Sequence, residues 1–218
     1  MSVNSEVSVP STSTKYLIED SASVLSKIYE TDTALTCFCC PSSWAKSNAA
    51  IHYVKKAQDS HFQYQGAIDR ELFDRIRAMF SSTTHGDLLF EHIELMLVMF
   101  EELLEPKEIG LRILPSHYSI SPAFHFQNGI VKMMSTLGGS GERWLEKDFV
   151  QYHPLEKNQL APAIKQPKAC DVNTLCNGDI ALVKGKNWVD QEHNAVVCAS
   201  PTFDNEESKL CIYIDYIS

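Results

Sequence analysis

From Ile109 to the C-terminus the chain is written in short runs rich in Ile, Val and aromatic residues, closed by Gly, Pro, Asn or Asp. The runs are "IGLRIL", "AFHFQ", "GIVKMMSTL", "DIALVKG", "NAVVCAS" and "KLCIYIDYI". β-Branched and aromatic side chains suit a pleated, half-buried surface, and each run matches the length of one strand. Six such strands with turn signals between them predict an antiparallel sandwich or barrel.

The preceding half has a different period. Asp69 stands before "RELFDRIRAMF", where Leu72, Phe73, Ile76, Met79 and Phe80 fall on one helical face and Arg70, Asp74, Arg75 and Arg77 on the other. Asp87 is the expected N-cap of a second helix that runs to about Glu105, where Pro106 stops it. The predicted fold is therefore α+β: a helical N-terminal layer on a C-terminal antiparallel sandwich. Residues 15–218 are expected to form a single domain, with 15–106 mainly helical and 107–218 rich in strands. Residues 1–14, polar and rich in Ser and Thr, read as a flexible leader. The connection from Glu146 to Asn177, with Pro154, Pro162 and Pro167, has little periodicity, as functional or mobile loops often do.

Charge narrows the partners. The chain of 218 residues carries 28 acidic against 19 basic residues, a net charge of −9, and has no long basic run. A phosphate backbone would be repelled, so no nucleic-acid partner is expected. The most apolar stretch, Leu88 to Leu104, includes Glu91, His92, Glu94, Glu101 and Glu102, so it reads as a soluble helix and no membrane partner is expected. Seven cysteines without a regular framework suggest reduced thiols in a cytoplasmic compartment. The cluster Cys37, Cys39 and Cys40 is matched only by the loose pair Cys170 and Cys176, so ordinary thiols are expected there in preference to structural zinc.

The chemistry concentrates in "SPAFHFQNG", residues 121–129. Side chains alternate along a strand, so His125 and Gln127 share one face and Phe124 and Phe126 the other. With the phenylalanines packed outward under the helices, the polar pair faces the barrel interior, where it needs partners or a metal. A mononuclear non-haem iron site uses two histidines and one carboxylate on one side of the metal. The position two residues after His125 is the expected carboxylate position, and it holds Gln127.

"IGLRIL", "SPAFHFQ", "STLGGSGERWL", "NGDIALVKGKNW", "VVCASP" and "KLCIYIDYI" together make the chain resemble the bacterial family called domain of unknown function 1826. In that family the second stretch usually reads C-P-R-F-H-V-D and the fifth L-I-H-R-S-P. The pattern is similar to the double-stranded β-helix of cupins and 2-oxoglutarate-dependent oxygenases, which the resemblance implies as the fold. On that alignment His125 keeps the first ligand position, Gln127 replaces the aspartate and Cys198 replaces the distal histidine. Ser121 and Ala123 stand where the family has Cys and Arg, while Lys132 and Ala199 occupy two further Arg positions.

These exchanges remove a negative charge and supply sulfur. If a divalent metal is held by His125, Gln127 and Cys198, zinc, copper or nickel is expected in preference to iron. The expected protein is cytoplasmic, with a modified cupin-like pocket that binds a small molecule. Lys132, His117 and His193 are the further residues expected to line it, and His153 is another potential replacement ligand. Two alternatives stand beside this reading: an active mononuclear non-haem oxygenase, and a structural or partner-binding protein with a filled barrel. "GGSGERW" lacks the Lys-Ser/Thr of a phosphate loop and reads as a hairpin turn.

Overall fold

The helices before Pro106 are α1 (Trp44–Ala57), α2 (Arg70–Phe80) and α3 (Gly86–Leu104). The computed structural model describes residues 13–57, 61–155, 162–204 and 207–217, so residues 1–12 of the expected leader lie outside the described residues. Asp69 caps α2 as its position predicts, accepting the Leu72 N–H at 2.9 Å. This satisfies one of the amide donors that have no partner in a first turn. The periodicity of α2 then buries Leu72, Ile76 and Phe80. In α3 the N-cap is His85 at φ 57, and Asp87 falls inside the first turn, where its charge complements the helix dipole.

The strands are β1 (Lys15–Glu19), β2 (Thr33–Phe38), β3 (Phe62–Gly66), β4 (Glu108–Ser116), β5 (His125–Phe126) and β6 (Val131–Leu137). They continue with β7 (Arg143–Leu145), β8 (Asn173–Thr174), β9 (Ile180–Lys184), β10 (Val197–Ala199) and β11 (Lys209–Ile217). Every run singled out after Ile109 contains a strand. The segment 15–106 is less helical than its sequence suggested, since it also holds β1, β2 and β3. Thr33 through Cys37 of β2 are all buried, so that strand lacks the polar alternation by which a half-exposed strand is recognised.

Seven strands form one sheet in the order β1-β2-β9-β6-β11-β4-β3, and four form a second in the order β5-β10-β7-β8. All the pairings are antiparallel except β1 with β2. Period-two alternation gives the large sheet two different faces. Ile109, Leu111 and Ile113 of β4, Val131 and Met133 of β6, and Leu210, Ile212 and Ile214 of β11 belong to the same core cluster as the helices. Accordingly α1 packs on β4, β6 and β11, and α3 on β11. His92 of α3 is buried there and hydrogen-bonds through Nε2 to Ser135 of β6 at 2.9 Å.

The other face meets the small sheet. Met134, Ala181 and Val183 cluster with Trp144 and Cys198, so the residues between them define an interior between two sheets. The outer face of the small sheet has its own cluster of Phe124, Leu145, Val197 and Ala199. Val150, Ile164 and Val172 from the long connection pack on that cluster. Phe124 and Phe126 thus point outward as expected, but under this connection and not under the helices. "GGSG" likewise differs from a hairpin, because it carries the chain from β6 in the large sheet to β7 in the small one. Among the described residues no helix is long and apolar enough to cross a membrane.

Candidate ligand-binding site

Strand register brings the residues singled out in the sequence into the inter-sheet space. Cys198 of β10 lies opposite His125 of β5 on one side and Trp144 of β7 on the other. Directly opposed residues share a face, so His125 and Cys198 both point inward, as does Gln127 two residues beyond His125. The backbone of Gln127 is fixed from two sides, its N–H donating to Val196 O at 2.9 Å and its carbonyl accepting from Lys186 N at 2.8 Å. Gly185 makes the second contact possible. A Cβ there would lie 1.9 Å from the Gly129 carbonyl oxygen, so only glycine lets the turn after β9 close on the β5–β6 loop.

From the large sheet the same alternation that sends Ile109, Leu111 and Ile113 to the helices sends Arg112 and Leu114 inward. Lys132 and Met134 of β6 and Tyr213 of β11 join them around a cleft of about 110 Å³ that Gln127, His125, Cys198 and Glu142 also line. Lys132 Nζ donates to Gln127 Oε1 at 2.7 Å, and Gln127 Nε2 donates to Cys198 Sγ at 3.1 Å. The order is chemically determined, because an ammonium has no acceptor and must meet the amide oxygen, leaving the NH₂ group for sulfur.

Asp215 balances the cations of the cleft. Its Oδ2 accepts from Arg112 Nη2 at 2.7 Å and its Oδ1 lies 3.5 Å from Lys132 Nζ. Both cations also approach the Tyr213 ring, at 5.3 and 5.8 Å from its centroid. Glu142 is buried, hydrogen-bonded to the Tyr213 hydroxyl and, at 3.2 Å, to Thr136 Oγ1. Burial pushes its carboxyl pKa up, against the opposing effect of those donors. The Cys198 thiol is pushed up to about 11 by burial, against the smaller effects of the Gln127 bond and the Lys132 charge.

Of the three expected metal-ligand atoms, only His125 Nε2 accepts no hydrogen bond among the described residues. His125 Nδ1 lies 3.0 Å from the Ala123 carbonyl, which can only accept, so Nδ1 carries the proton and Nε2 is the basic nitrogen. Gln127 Oε1 is taken by a cation, and Cys198 is a neutral thiol near neutral pH. Among the described residues no three His, Cys, Asp or Glu side chains are grouped to hold a metal ion.

The other expected lining residues divide. Lys132 lines the inner cleft. His193 lines a separate cleft of about 1180 Å³ on the outer face of the small sheet, a cleft that His125 also borders. His117 departs from expectation: it is exposed just beyond β4, with Nδ1 3.1 Å from Ser208 Oγ, and lines neither cleft. Arg112, Glu142 and Tyr213 had not been singled out. Arg112 did carry a signal, being the charged residue in the otherwise apolar run "IGLRIL", whereas Glu142 sits in a stretch that reads as a turn.

The model of the family described as Protein of unknown function (DUF1826) matches residues 19–215. No curated protein matches the chain. Among solved structures, the dioxygenase for auxin oxidation from rice aligns at a TM-score of 0.51 and 11% identity, over 94% of this chain and 83% of that one. Dioxygenase for auxin oxidation 1 from Arabidopsis thaliana, in its binary complex with 2-oxoglutarate, aligns at a TM-score of 0.51 and 6% identity, over 94% and 92%. At such identities the likeness is one of fold.

Proposed function

The chain belongs to the family of proteins of unknown function DUF1826, and from that premise we propose that it binds a small organic anion inside a double-stranded β-helix, without the iron chemistry of a facial triad. The observation that carries this reading is the chain of bonds Lys132–Gln127–Cys198. It spends two of the three would-be ligands on each other and sets an ammonium where a divalent cation would need a negative neighbour. A metal of the kind the fold family implies does not fit these residues as they stand. An anion does: Arg112 and Lys132 share the single carboxylate of Asp215, while burial favours the neutral form of Glu142. The Ser121 hydroxyl can donate to the anion at the same cleft, while His125 Nε2, with the ring proton on Nδ1, can accept from a hydroxyl of the ligand.

A volume of about 110 Å³ admits a carboxylate and a few further heavy atoms, so the ligand is a short oxo- or hydroxy-acid, or the acidic end of a longer one. The Arabidopsis neighbour holds 2-oxoglutarate. A dicarboxylate of that kind would meet two cations here, though Lys132 presents a point charge without the two-pronged geometry of arginine. A second reading, with zinc, copper or nickel, rests on Cys198 lying opposite His125 in register. It requires that thiol to ionise against its burial.

Calorimetric titration with pyruvate, oxalate and 2-oxoglutarate tests the proposal. Binding is expected without added metal and is expected to disappear in Lys132→Met. Binding that requires stoichiometric Fe(II), or turnover of 2-oxoglutarate by the wild type, refutes it. Ni(II) uptake with a thiolate charge-transfer band lost in Cys198→Ser establishes the second reading instead.

A further inference from the structure

We infer that the outer cleft of the small sheet is a second binding site, built for an amphipathic carboxylic acid. Its floor is the outward face of β5, β10 and β7, and its opposite wall is formed by Val150, Tyr152, Pro162, Ala163 and Ile164, all after β7. Phe124, Phe126, Leu145, Val150, Ile164 and Val197 give it a mostly apolar lining. At about 1180 Å³ it is slightly above the usual range for small-molecule pockets and roughly ten times the inner cleft. Val150 and Ile164 of the connection also pack on the apolar cluster of this face, so the cleft lies beside contacts that tie the described part of the connection to the sheet.

The polar groups at the cleft select the sign of the ligand. Lys147, Lys186 and His193 border it against one carboxylate, Glu192. This local excess of basic groups occurs in a chain whose net charge is −9. Lys186 Nζ stands 4.5 Å from the Phe126 ring centroid, so a cation is held at the boundary of the apolar wall. Among the described residues no carboxylate forms an ion pair with Lys186 or Lys147. An apolar body seated on the phenylalanines, with a carboxylate turned toward the lysines, satisfies both features at once. A neutral lipid would leave the cations without a partner, and an amine would oppose them.

Titration calorimetry of the full chain with decanoate is the direct test, with decanol, decylamine and acetate as controls for head and tail. One decanoate is expected per chain, with decanol and decylamine weaker by about tenfold or more and acetate without measurable binding. The double variant Lys147→Glu/Lys186→Glu is expected to weaken decanoate by about tenfold. Ala163→Trp, an exposed position on the cleft, is expected to abolish binding at an unchanged melting temperature. Lys132→Met is expected to leave decanoate affinity unchanged, which separates this site from the inner cleft. Equal affinity for decanoate and decylamine overturns the inference, as does insensitivity to both the lysine and the Ala163 variants. Loss of decanoate in Lys132→Met would move the ligand to the inner cleft, and self-association that excludes decanoate would make the face an interface between copies.

Discussion

Replacing Lys132 by Met keeps the apolar stem of the side chain and deletes the ammonium that orders the inner cleft. Gln127, 7% exposed, then loses the donor that satisfies Oε1 at 2.7 Å. Leaving such an acceptor buried and unpaired, when its partner was charged, costs about 1.5–3 kcal/mol. Asp215 keeps Arg112 at 2.7 Å, so the lost 3.5 Å ion pair, which is partly exposed, adds less than about 1 kcal/mol. A total near 2–3 kcal/mol corresponds to a fall of about 1 M in the urea midpoint for a slope of about 2–3 kcal/mol/M. Gln127→Leu removes the amide, so in the double variant neither group is left waiting for the other. Urea unfolding of the wild type, both single variants and the double variant should give a coupling of about 1–2 kcal/mol. Additivity within about 0.5 kcal/mol would show that the bond contributes nothing to the cleft, and the case against a metal there would lose its foundation.

The remaining predictions concern other parts of the same framework. His92 is held at about 3, against 6.5 when free, chiefly by burial and secondarily by Lys46. The unfolded chain therefore takes up this proton first, and the stability His92 permits is full above 6.5 and lost as pH falls toward 3. Urea unfolding should show the wild type losing about 2 kcal/mol more than His92→Gln between about pH 6.5 and 5. Glu142, shifted upward by burial, contributes in the opposite sense, losing stability as pH rises through its folded pKa, and is common to both proteins. Gly185→Ala forces the Gly129 carbonyl away from a 1.9 Å contact and should destabilise the fold by about 1–3 kcal/mol while weakening anion binding through displacement of Gln127. Unchanged stability and affinity would show that this turn does not position the site. Gln127→Asp with Cys198→His restores two ligand types and should gain Fe(II) affinity in an anaerobic titration, more so when Lys132→Ala removes the competing ammonium. No gain in either variant would mean that these positions cannot be made into a metal site.

How much of this was legible follows from what each residue reports locally. The strands after Ile109 were readable because their neighbours are turn residues and their composition is β-branched and aromatic. The helix at Arg70–Phe80 was readable because cap and apolar stripe agree. β2 was not, because its buried residues provide no alternation, and its place between β1 and β9 is a tertiary fact. β7 and β8, three and two residues long, exist as strands only through the partners that pair with them. The "GGSG" link shows the same limit, since glycines signal a turn but do not say whether the chain returns to its own sheet or crosses to another.

The site divides along a similar line, and the division bears on function. Alternation placed His125 and Gln127 on one face, and the family resemblance selected Cys198; register then explains why the three converge. What neither could supply is the partner across the cleft. The bond from Lys132 depends on β6 being two strands away from β4 in the large sheet, and on a small sheet lying opposite both. That partner changes the meaning of Gln127. Read alone, glutamine at a carboxylate position is a weakened metal ligand. Bonded to an ammonium on one side and a neutral thiol on the other, it orients the cation that the proposed carboxylate ligand would meet. The same exchange that removes a reason to hold iron therefore leaves the positive charge of Arg112 and Lys132 only partly balanced by Asp215, the charge that the proposed acidic ligand would complement.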